Sequence, residues 1–173
     1  MIIQFCGLSG SGKTTLATNV KKIFHKKDID VEIIDGDEYR KVLCADLGFS
    51  KEDRNQNIKR LAFVASRLSN YNIISIICAI NPYEDVRKEV AAQYNNVKTV
   101  FIDCDINTLI QRDTKGLYKK AYLPDGHPDK VKNLTGVNDP FEIPANPDLV
   151  INTSTTSVED AVQILTQFIL DNI

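Results

Sequence analysis

The stretch GLSGSGKTT, residues 7–15, constrains the fold more than any other part of the sequence. It matches the pattern G-x-x-x-x-G-K-[ST] and stands between an apolar run and a helix-like segment. In that context, backbone N–H groups and the start of the helix can surround phosphate oxygens, and the glycines let the backbone come close to them. The stretch therefore predicts a P-loop. We expect Lys13 to reach the β- and γ-phosphates and Thr14 to offer its hydroxyl to Mg²⁺.

Short apolar runs alternate with longer amphipathic segments along the rest of the chain. Five of the runs are rich in β-branched residues and read as buried strands, at 2–5, 31–35, 73–80, 99–103 and 148–153. The segments between or after them read as helices, at 14–26, 37–45, 51–70, 83–94, 106–112 and 157–172. This alternation predicts one α/β domain over residues 1–173, with a parallel five-stranded sheet and helices on both faces.

Residues 113–147 break the alternation. They show little apolar periodicity, and the stretch YLPDGHPDKVKN packs Pro, Gly, Asp and Lys together. A long irregular segment inside a compact domain is usually functional or disordered. Its position before the last strand and its many lysines favour a mobile lid.

Composition limits the classes of partner. A net charge of -2 and a pI near 5.7 give no support to binding of a nucleic acid polymer. No apolar run approaches the ~18 residues of a membrane helix, and MIIQF lacks the basic flank of a signal peptide. The four cysteines are widely spaced, as expected of buried thiols in a reducing compartment. We therefore expect a cytoplasmic protein without a membrane partner.

Two carboxylates follow the second predicted strand, Asp35 and Asp37. The carboxyl ends of parallel strands point into the ligand crevice, so these groups could hold Mg²⁺ through water, orient a hydroxyl or accept its proton. The structural alternative is that Asp37 caps the next helix and Asp35 only ends a strand. Beside a P-loop, the functional interpretation is favoured.

Polar residues downstream suggest a second anion site. Arg40, Arg54 and Asn57 are expected near the same crevice, and arginine can grip an anion with two N–H groups. Ser50 and Asp53 resemble an N-terminal capping box, which explains Ser50 without any ligand.

Five stretches make the sequence similar to a known family: DGDEYRKVLCADLGFSKEDRNQNIKR, INPY, QRDTKGLYKKA, LTGVNDPFE and NPDLVINT. Together they resemble adenylylsulfate kinases over nearly the whole chain. Those enzymes are P-loop kinases with a nucleotide-kinase-like fold, often dimeric. They transfer the γ-phosphate of ATP to the ribose 3′-hydroxyl of adenosine 5′-phosphosulfate (APS) during sulfate activation. The resemblance thus implies an ATP- and Mg²⁺-dependent kinase, with a nucleotide acceptor and a homodimer as further expectations.

The resemblance also implies residue roles on the donor side. The residues it places against ATP and Mg²⁺ are Gly7, Ser9, Gly10, Ser11, Gly12, Lys13, Thr14, Thr15 and, at the adenine, Arg112. Thr14 and Asp35 are the implied metal-linked residues. Asp35 is also the implied base beside the 3′-hydroxyl, with Asp37 next to it and Lys13 as the catalytic cation.

A second group of implied roles belongs to the acceptor. Arg40, Arg54 and Asn57 would hold the phosphosulfate end, and Phe49 would stack on the base. The alternative for Phe49 is a purely structural role, in which its ring anchors the loop in the hydrophobic core. The remaining implied acceptor residues are Asp37, Ile80, Asn81, Lys119 and Leu134. Lys115, Lys119 and Lys120 would form the basic start of the lid.

The departures from the family pattern concern the acceptor. Asn81 stands where the family usually has Ser, Glu84 where Arg is common, and Leu134 where a Phe usually completes the base sandwich. The lid link 121–129 is longer than usual. Stacking on an aromatic ring is worth about 1–3 kcal/mol per base, so Leu134 could weaken adenine recognition or signal another base.

Two alternatives therefore remain at this point. Some relatives apply the same 3′-kinase chemistry to cytidine 5′-diphosphoramidate in capsular polysaccharide modification. A non-catalytic nucleotide-binding regulator would need the P-loop but neither the paired aspartates nor the second anion site.

Overall fold

The computed structural model describes all 173 residues and contains one five-stranded sheet. Its strands are β1 (Ile2–Cys6), β2 (Val31–Asp35), β3 (Ile74–Cys78), β4 (Val97–Asp103) and β5 (Leu149–Asn152). All pairings are parallel, in the order β2-β3-β1-β4-β5. Every residue of β1 and β3 is buried, because helices cover both faces of these inner strands, and this explains their unbroken apolar sequence. The predicted parallel sheet is confirmed.

Helices lie on both faces of the sheet, as predicted. They are α1 (Lys13–His25), α2 (Gly36–Tyr39), α3 (Lys51–Ser69), α4 (Glu84–Gln93), α5 (Ile106–Arg112), α6 (Leu117–Ala121) and α7 (Val158–Leu170). The larger apolar cluster joins the sheet to α1 and α7 and includes Phe5 and Phe24. A second cluster joins the other face to α3 and α4 and includes Ile34 and Leu61. The alternation of side chains along each strand thus serves two separate cores.

Two serines cap the helices that follow them, and for Ser50 this agrees with the expectation from the sequence. The backbone N–H of Asp53 donates to Ser50 Oγ, and that of Asp160 donates to Ser157 Oγ, both at 3.1 Å. Each bond satisfies one of the N–H groups that a helix start leaves without an acceptor. The first cap matters for function because α3 carries Arg54 and Asn57.

Two predicted boundaries were wrong. The helix expected over 37–45 ends at Tyr39, and turns follow it. Between residues 37 and 49 only Cys44 is buried, so a longer helix would have no apolar face to dock. Conversely, the irregular segment contains α6, because the Asp113 carboxylate accepts from the N–H groups of Tyr118 and Lys119 while Tyr118 is buried.

The carboxyl ends of β1, β2 and β3 open on the same edge of the sheet. β1 leads into the P-loop, β2 ends at Asp35, and β3 leads to Ala79 and Ile80.

All four cysteines are buried and unpaired, as expected. None of the helices has both the length and the apolar character that crossing a bilayer requires.

Candidate active site

The P-loop occupies the turn between β1 and α1. Gly7 has φ 152°, and a Cβ atom there would lie 2.3 Å from the carbonyl oxygen of Ile102. Gly12 precedes α1 with φ 95°. Any other residue at Gly7 would push the loop away from the sheet. Because α1 begins at Lys13, the N–H groups of its first turn lack intrahelical acceptors and remain available for phosphate oxygens.

Lys13 lies beneath this loop. Its ammonium donates to the carbonyl oxygens of Gly7 at 2.8 Å and Leu8 at 2.7 Å, and to Ser11 Oγ at 3.3 Å. Burial lowers the pKa of Lys13 to about 8, since a charge removed from water is disfavoured. An anionic ligand at the loop would offset this desolvation and favour the charged form.

The carboxylate of Asp35 joins the donor loop to the second strand. Thr14 Oγ1 donates to Asp35 Oδ2 at 3.0 Å, while Asp35 Oδ1 accepts from the N–H groups of Asp37 at 2.9 Å and Glu38 at 3.4 Å. Asp35, not Asp37, therefore caps α2. The side chain of Asp37 is exposed and forms an ion pair with Lys115 across the cavity mouth.

One cavity of about 540 Å³ contains this region and extends beyond it. Twelve of the predicted site residues line it: Ser9, Gly10, Gly12, Lys13, Thr14, Thr15, Asp35, Asp37, Phe49, Arg54, Ile80 and Leu134. Much of the donor loop and five of the expected acceptor residues thus face one shared space, which Asp35 also lines. That arrangement suits transfer of a group between two bound molecules.

The end of the cavity expected to take the acceptor has an exposed aromatic ring. Phe49 is 52% exposed, so the loop-anchor alternative does not describe it. The guanidinium groups of Arg40 and Arg54 lie 4.7 and 5.4 Å from the centre of its ring. Leu134 lies in the same cavity, but it is 4% exposed and packs mainly with the cluster around Tyr118.

The two arginines already use part of their hydrogen-bonding capacity within the protein. Arg40 Nη1 donates to the carbonyl oxygens of Leu47 at 3.4 Å and Gly48 at 2.9 Å. Burial, the largest cause, and the neighbouring Arg54 lower the pKa of Arg40 from its ordinary value. Asn57 is buried on α3, and its Oδ1 has no partner within the protein.

Several predicted residues lie outside the cavity lining. Asn81 is 1% exposed and donates through Nδ2 to Gln4 Oε1, because its backbone turns with φ 49° and directs the side chain into the core. Arg112 donates to the carbonyl oxygen of Thr153 at 2.7 Å. Lys119 is exposed on α6. Their roles toward ATP or the acceptor remain predictions, as do those of Gly7, Ser11, Arg40 and Asn57, which also do not line the cavity.

Other cavity residues were missed by the sequence reasoning. They are Cys78, Ala79, Thr114, Leu117, Val131, Asn133 and Thr135, while Lys115 was expected only as part of the lid. Most of these residues belong to no recognisable motif in the sequence, and their position in the cavity lining depends on tertiary packing. Burial raises the pKa of Cys78 to about 12, so this thiol stays neutral. The hydroxyl of Thr135 is buried without a partner, directly beside Leu134.

Tyr118 joins the predicted lid to the donor loop. Its hydroxyl donates to the carbonyl oxygen of Ser9 at 2.8 Å, and its ring is 2% exposed. Burial raises the pKa of Tyr118 to about 12, so the hydroxyl remains a donor at neutral pH. The base of the segment 113–147 is therefore attached to the P-loop, while residues 124–129 are exposed.

The donor set at Thr14 and Asp35 is suited to a hard cation. No group of three or more His, Cys, Asp or Glu side chains could hold a metal by itself. Mg²⁺ in phosphoryl-transfer sites usually keeps waters and uses only one or two protein oxygens together with substrate phosphates. The adjacent hydroxyl and carboxylate fit that requirement.

Comparisons with known proteins agree with this geometry. The family model described as adenylylsulphate kinase matches residues 1–152. A probable adenylyl-sulfate kinase of Pseudomonas aeruginosa is 42% identical over 164 residues, which cover 95% of this chain and 74% of the relative. The adenylyl-sulfate kinase of Deinococcus deserti is 40% identical over 164 residues, covering 95% and 88%.

Solved structures give the same similarity. The Mycobacterium tuberculosis APS kinase CysC in complex with AMPPNP and APS superposes with a TM-score of 0.89 at 33% identity, covering 98% of this chain and 96% of that one. Shikimate kinase from Aquifex aeolicus shares the fold at 17% identity with a TM-score of 0.52. The predicted P-loop kinase fold is confirmed.

Proposed function

The chain belongs to the adenylylsulfate kinase family, and we propose that it transfers the γ-phosphoryl group of ATP to the ribose 3′-hydroxyl of APS. The observation that carries this proposal is the single cavity shared by the P-loop, Asp35 and the Phe49–Arg54 region. A nucleotide-binding regulator would have no use for the second region.

ATP would be held at the donor end. The N–H groups of the P-loop and of the first turn of α1 face phosphate oxygens, and Lys13 supplies the positive charge. The Lys13 ammonium uses its three N–H groups on acceptors of the loop, so it must exchange some of these hydrogen bonds for phosphate oxygens when the nucleotide binds.

Asp35 is the proposed catalytic carboxylate. Its Oδ1 atom is fixed by the start of α2, which directs Oδ2 toward Thr14 and the cavity. From there it can orient the 3′-hydroxyl and accept its proton as the new P–O bond forms. Asp37 lies beside it, and its pairing with Lys115 connects the base of the lid to the reacting end.

We assign a Mg²⁺ site to the Thr14 hydroxyl and the Asp35 carboxylate. When bound with ATP, the ion would neutralise negative charge on the phosphates. The two protein oxygens supply ligands of the hard type that Mg²⁺ prefers.

The acceptor would lie between Phe49 and Leu134. Phe49 offers an exposed ring to the base, and Leu134 and Ile80 offer apolar contact. Arg40, Arg54 and Asn57 are proposed for the anionic phosphosulfate end, since the N–H groups of arginine and amide side chains can donate hydrogen bonds to an anion.

Residues 113–147 are the proposed lid. Exclusion of water on closure would protect the γ-phosphoryl group from hydrolysis. A homodimer is the proposed assembly. An APS kinase from Thiobacillus denitrificans with 26% identity is described as hexameric, so related chains do associate.

A kinetic comparison of two acceptors tests the proposal. Purified protein with ATP and Mg²⁺ would be assayed with APS and with cytidine 5′-diphosphoramidate, and kcat/KM determined for each. We expect a clear preference for APS and formation of the 3′-phosphorylated product. A preference for the cytidine compound would replace the acceptor, and ATP binding without acceptor-dependent ADP release would reject kinase function.

A further inference from the structure

The guanidinium of Arg54 is bonded to two separate segments of the chain. Its Nε donates to the carbonyl oxygen of Phe49 at 3.0 Å. Its Nη2 donates to the carbonyl oxygen of Asn133 and to Asp139 Oδ2, both at 2.7 Å. The hydrogen bond to Asn133 spans 79 residues of sequence, so it is a tertiary contact that local propensity does not supply.

Both segments contribute walls to the proposed acceptor end of the cavity. Phe49 provides the exposed ring, and Asn133 directly precedes Leu134. Arg54 therefore connects the walls by donating to the backbone carbonyl oxygens of Phe49 and Asn133. The distance between the walls depends on how its guanidinium is held.

Asp139 is the carboxylate that holds it. The Arg54 side chain is 8% exposed and that of Asp139 is 25% exposed, so this ion pair is shielded from water far more than the other arginine pair on α3, between Arg60 and Asp46. A buried guanidinium that loses its carboxylate keeps its desolvation penalty without compensation. The pair is therefore sensitive to removal of one charge.

The backbone of Asp139 is held in place by a tight turn. The N–H of Gly136 donates to the carbonyl oxygen of Asp139 at 2.7 Å, and the N–H of Asp139 donates to that of Leu134 at 3.1 Å. Gly136 has φ 86°, and a Cβ atom there would lie 2.6 Å from a methyl carbon of Leu8. The turn thus packs against the P-loop, and this packing together with the two hydrogen bonds fixes the backbone position of Asp139.

We propose that Asp139 is a positioning residue that acts through Arg54 to set the spacing of the base slot between Phe49 and Leu134. In this arrangement Asp139 and Asn133 occupy Nη2, and Nη1, which makes no hydrogen bond within the protein, is left for the anionic end of the acceptor. Arg54 then offers Nη1 to the ligand and uses Nε and Nη2 to join the walls. The proposal rests on the proposed acceptor site and concerns how that site selects its base.

The test uses Asp139→Asn and Asp139→Glu in the full-length protein. Asn keeps the shape and removes the charge, whereas Glu keeps the charge. Asp148→Asn is the matched control, because Asp148 accepts from the N–H of Thr99 at 2.8 Å and pairs with Lys98 at the amino ends of β4 and β5, away from the cavity. Thermal unfolding checks that each variant folds, and KM for ATP, KM for the acceptor and the ratio of kcat/KM for the adenosine and cytidine acceptors are measured.

For Asp139→Asn we expect the acceptor KM to rise on the order of 10- to 100-fold and the preference between bases to narrow, with KM for ATP unchanged. Asp139→Glu should recover part of the loss, and Asp148→Asn should show neither change. A merely structural role would lower the unfolding temperature without altering base preference.

Three other results would overturn the proposal. The first is an unchanged acceptor KM in both Asp139 variants. The second is a lower acceptor KM in Asp139→Asn, which would mean that the carboxylate competes with the ligand for Arg54. The third is an equal rise in KM for ATP and in KM for the acceptor. The proposed function is judged separately: if the wild-type protein phosphorylates its acceptor in the same assay, any of these three results rejects the inference and leaves the proposed function intact. If the wild-type protein phosphorylates neither acceptor, the function fails and the inference fails with it.

Discussion

The donor and acceptor ends of the cavity are built in different ways. At the donor end, nine consecutive residues supply the loop, its cation and the hydroxyl, and Lys13 bonds to carbonyl oxygens only five and six residues away. At the acceptor end, the lining residues come from three separate segments of the chain: Phe49 and Arg54 at the start of α3, Ile80 after β3, and Leu134 before β5. The donor end is therefore a local structure, whereas the acceptor end depends on tertiary packing and can change when a distant segment changes.

The largest expected effect lies where the two ends meet. Asp35→Asn should lower kcat by roughly 10²- to 10⁴-fold, because the amide cannot accept the proton of the 3′-hydroxyl. KM for ATP should change far less than kcat, since Asn can still accept from the N–H of Asp37 and cap α2, and the Thr14 hydroxyl and the ATP phosphates remain as ligands for Mg²⁺. Steady-state kinetics with both substrates varied would measure this.

Asp103→Asn provides the control for that variant. Asp103 ends β4 as Asp35 ends β2, but it accepts from Asn152 Nδ2 at 3.1 Å and does not line the cavity. Turnover by this control should be close to that of the wild-type protein. If the Asp35→Asn variant also had a normal kcat, Asp35 would not be the carboxylate that accepts the proton of the 3′-hydroxyl.

A change at the acceptor end should leave the donor end untouched. Phe49→Leu should raise the acceptor KM roughly 5- to 150-fold, because stacking on an aromatic ring is worth about 1–3 kcal/mol per base. The ring is 52% exposed, so stability should be nearly unchanged.

Phe63→Leu is the matched substitution, on the surface of α3 and 58% exposed, outside the cavity lining. It should alter neither KM. An equal effect of both phenylalanine variants, or an unchanged acceptor KM for Phe49→Leu, would show that Phe49 does not contact the base.

The smallest expected effect is a pH dependence of the donor end alone. Burial lowers the pKa of Lys13 to about 8, and bound phosphates favour the charged form. Below pH 8 the ammonium is already present, whereas above it a proton must be taken up on binding. The Kd for ATP should therefore rise by up to about tenfold per pH unit above 8.

Binding of the acceptor alone to the same protein is the internal comparison. Lys13 is not placed against the acceptor, so calorimetric titrations from pH 7 to 9 should show no such slope for it. A flat Kd for ATP over this range would mean that Lys13 remains charged in the unliganded protein.

The sequence predicted the fold and the donor end well because their signals are local. Strand and helix patterns depend on neighbouring residues, and the P-loop pattern encodes its own turn through glycines such as Gly7. The errors fell where tertiary contacts decide. The helix after Asp35 ends early for lack of an apolar face. The helix α6 forms because the Asp113 carboxylate accepts from N–H groups of its first turn and Tyr118 bonds to Ser9.

The sequence itself suggested an anion site at the acceptor end, but the residues around the base were predicted only through the resemblance to a family, and the structure explains why. Asn81 is directed into the core by a positive φ, which the residue type permits but does not require. Asp139 was not singled out from the sequence because nothing near it indicates a partner 85 residues away. Such a pairing becomes visible only when α3 and the loop before β5 are brought together.

The sequence by itself thus determined the parallel sheet, the P-loop and the two aspartates at the end of β2, because backbone periodicity and glycine spacing act over a few residues. Only the tertiary structure decided which polar groups face the cavity and which are used to hold it open. Arg54 illustrates the difference. Its charge is written in the sequence, but the direction of its guanidinium is set by Phe49, Asn133 and Asp139.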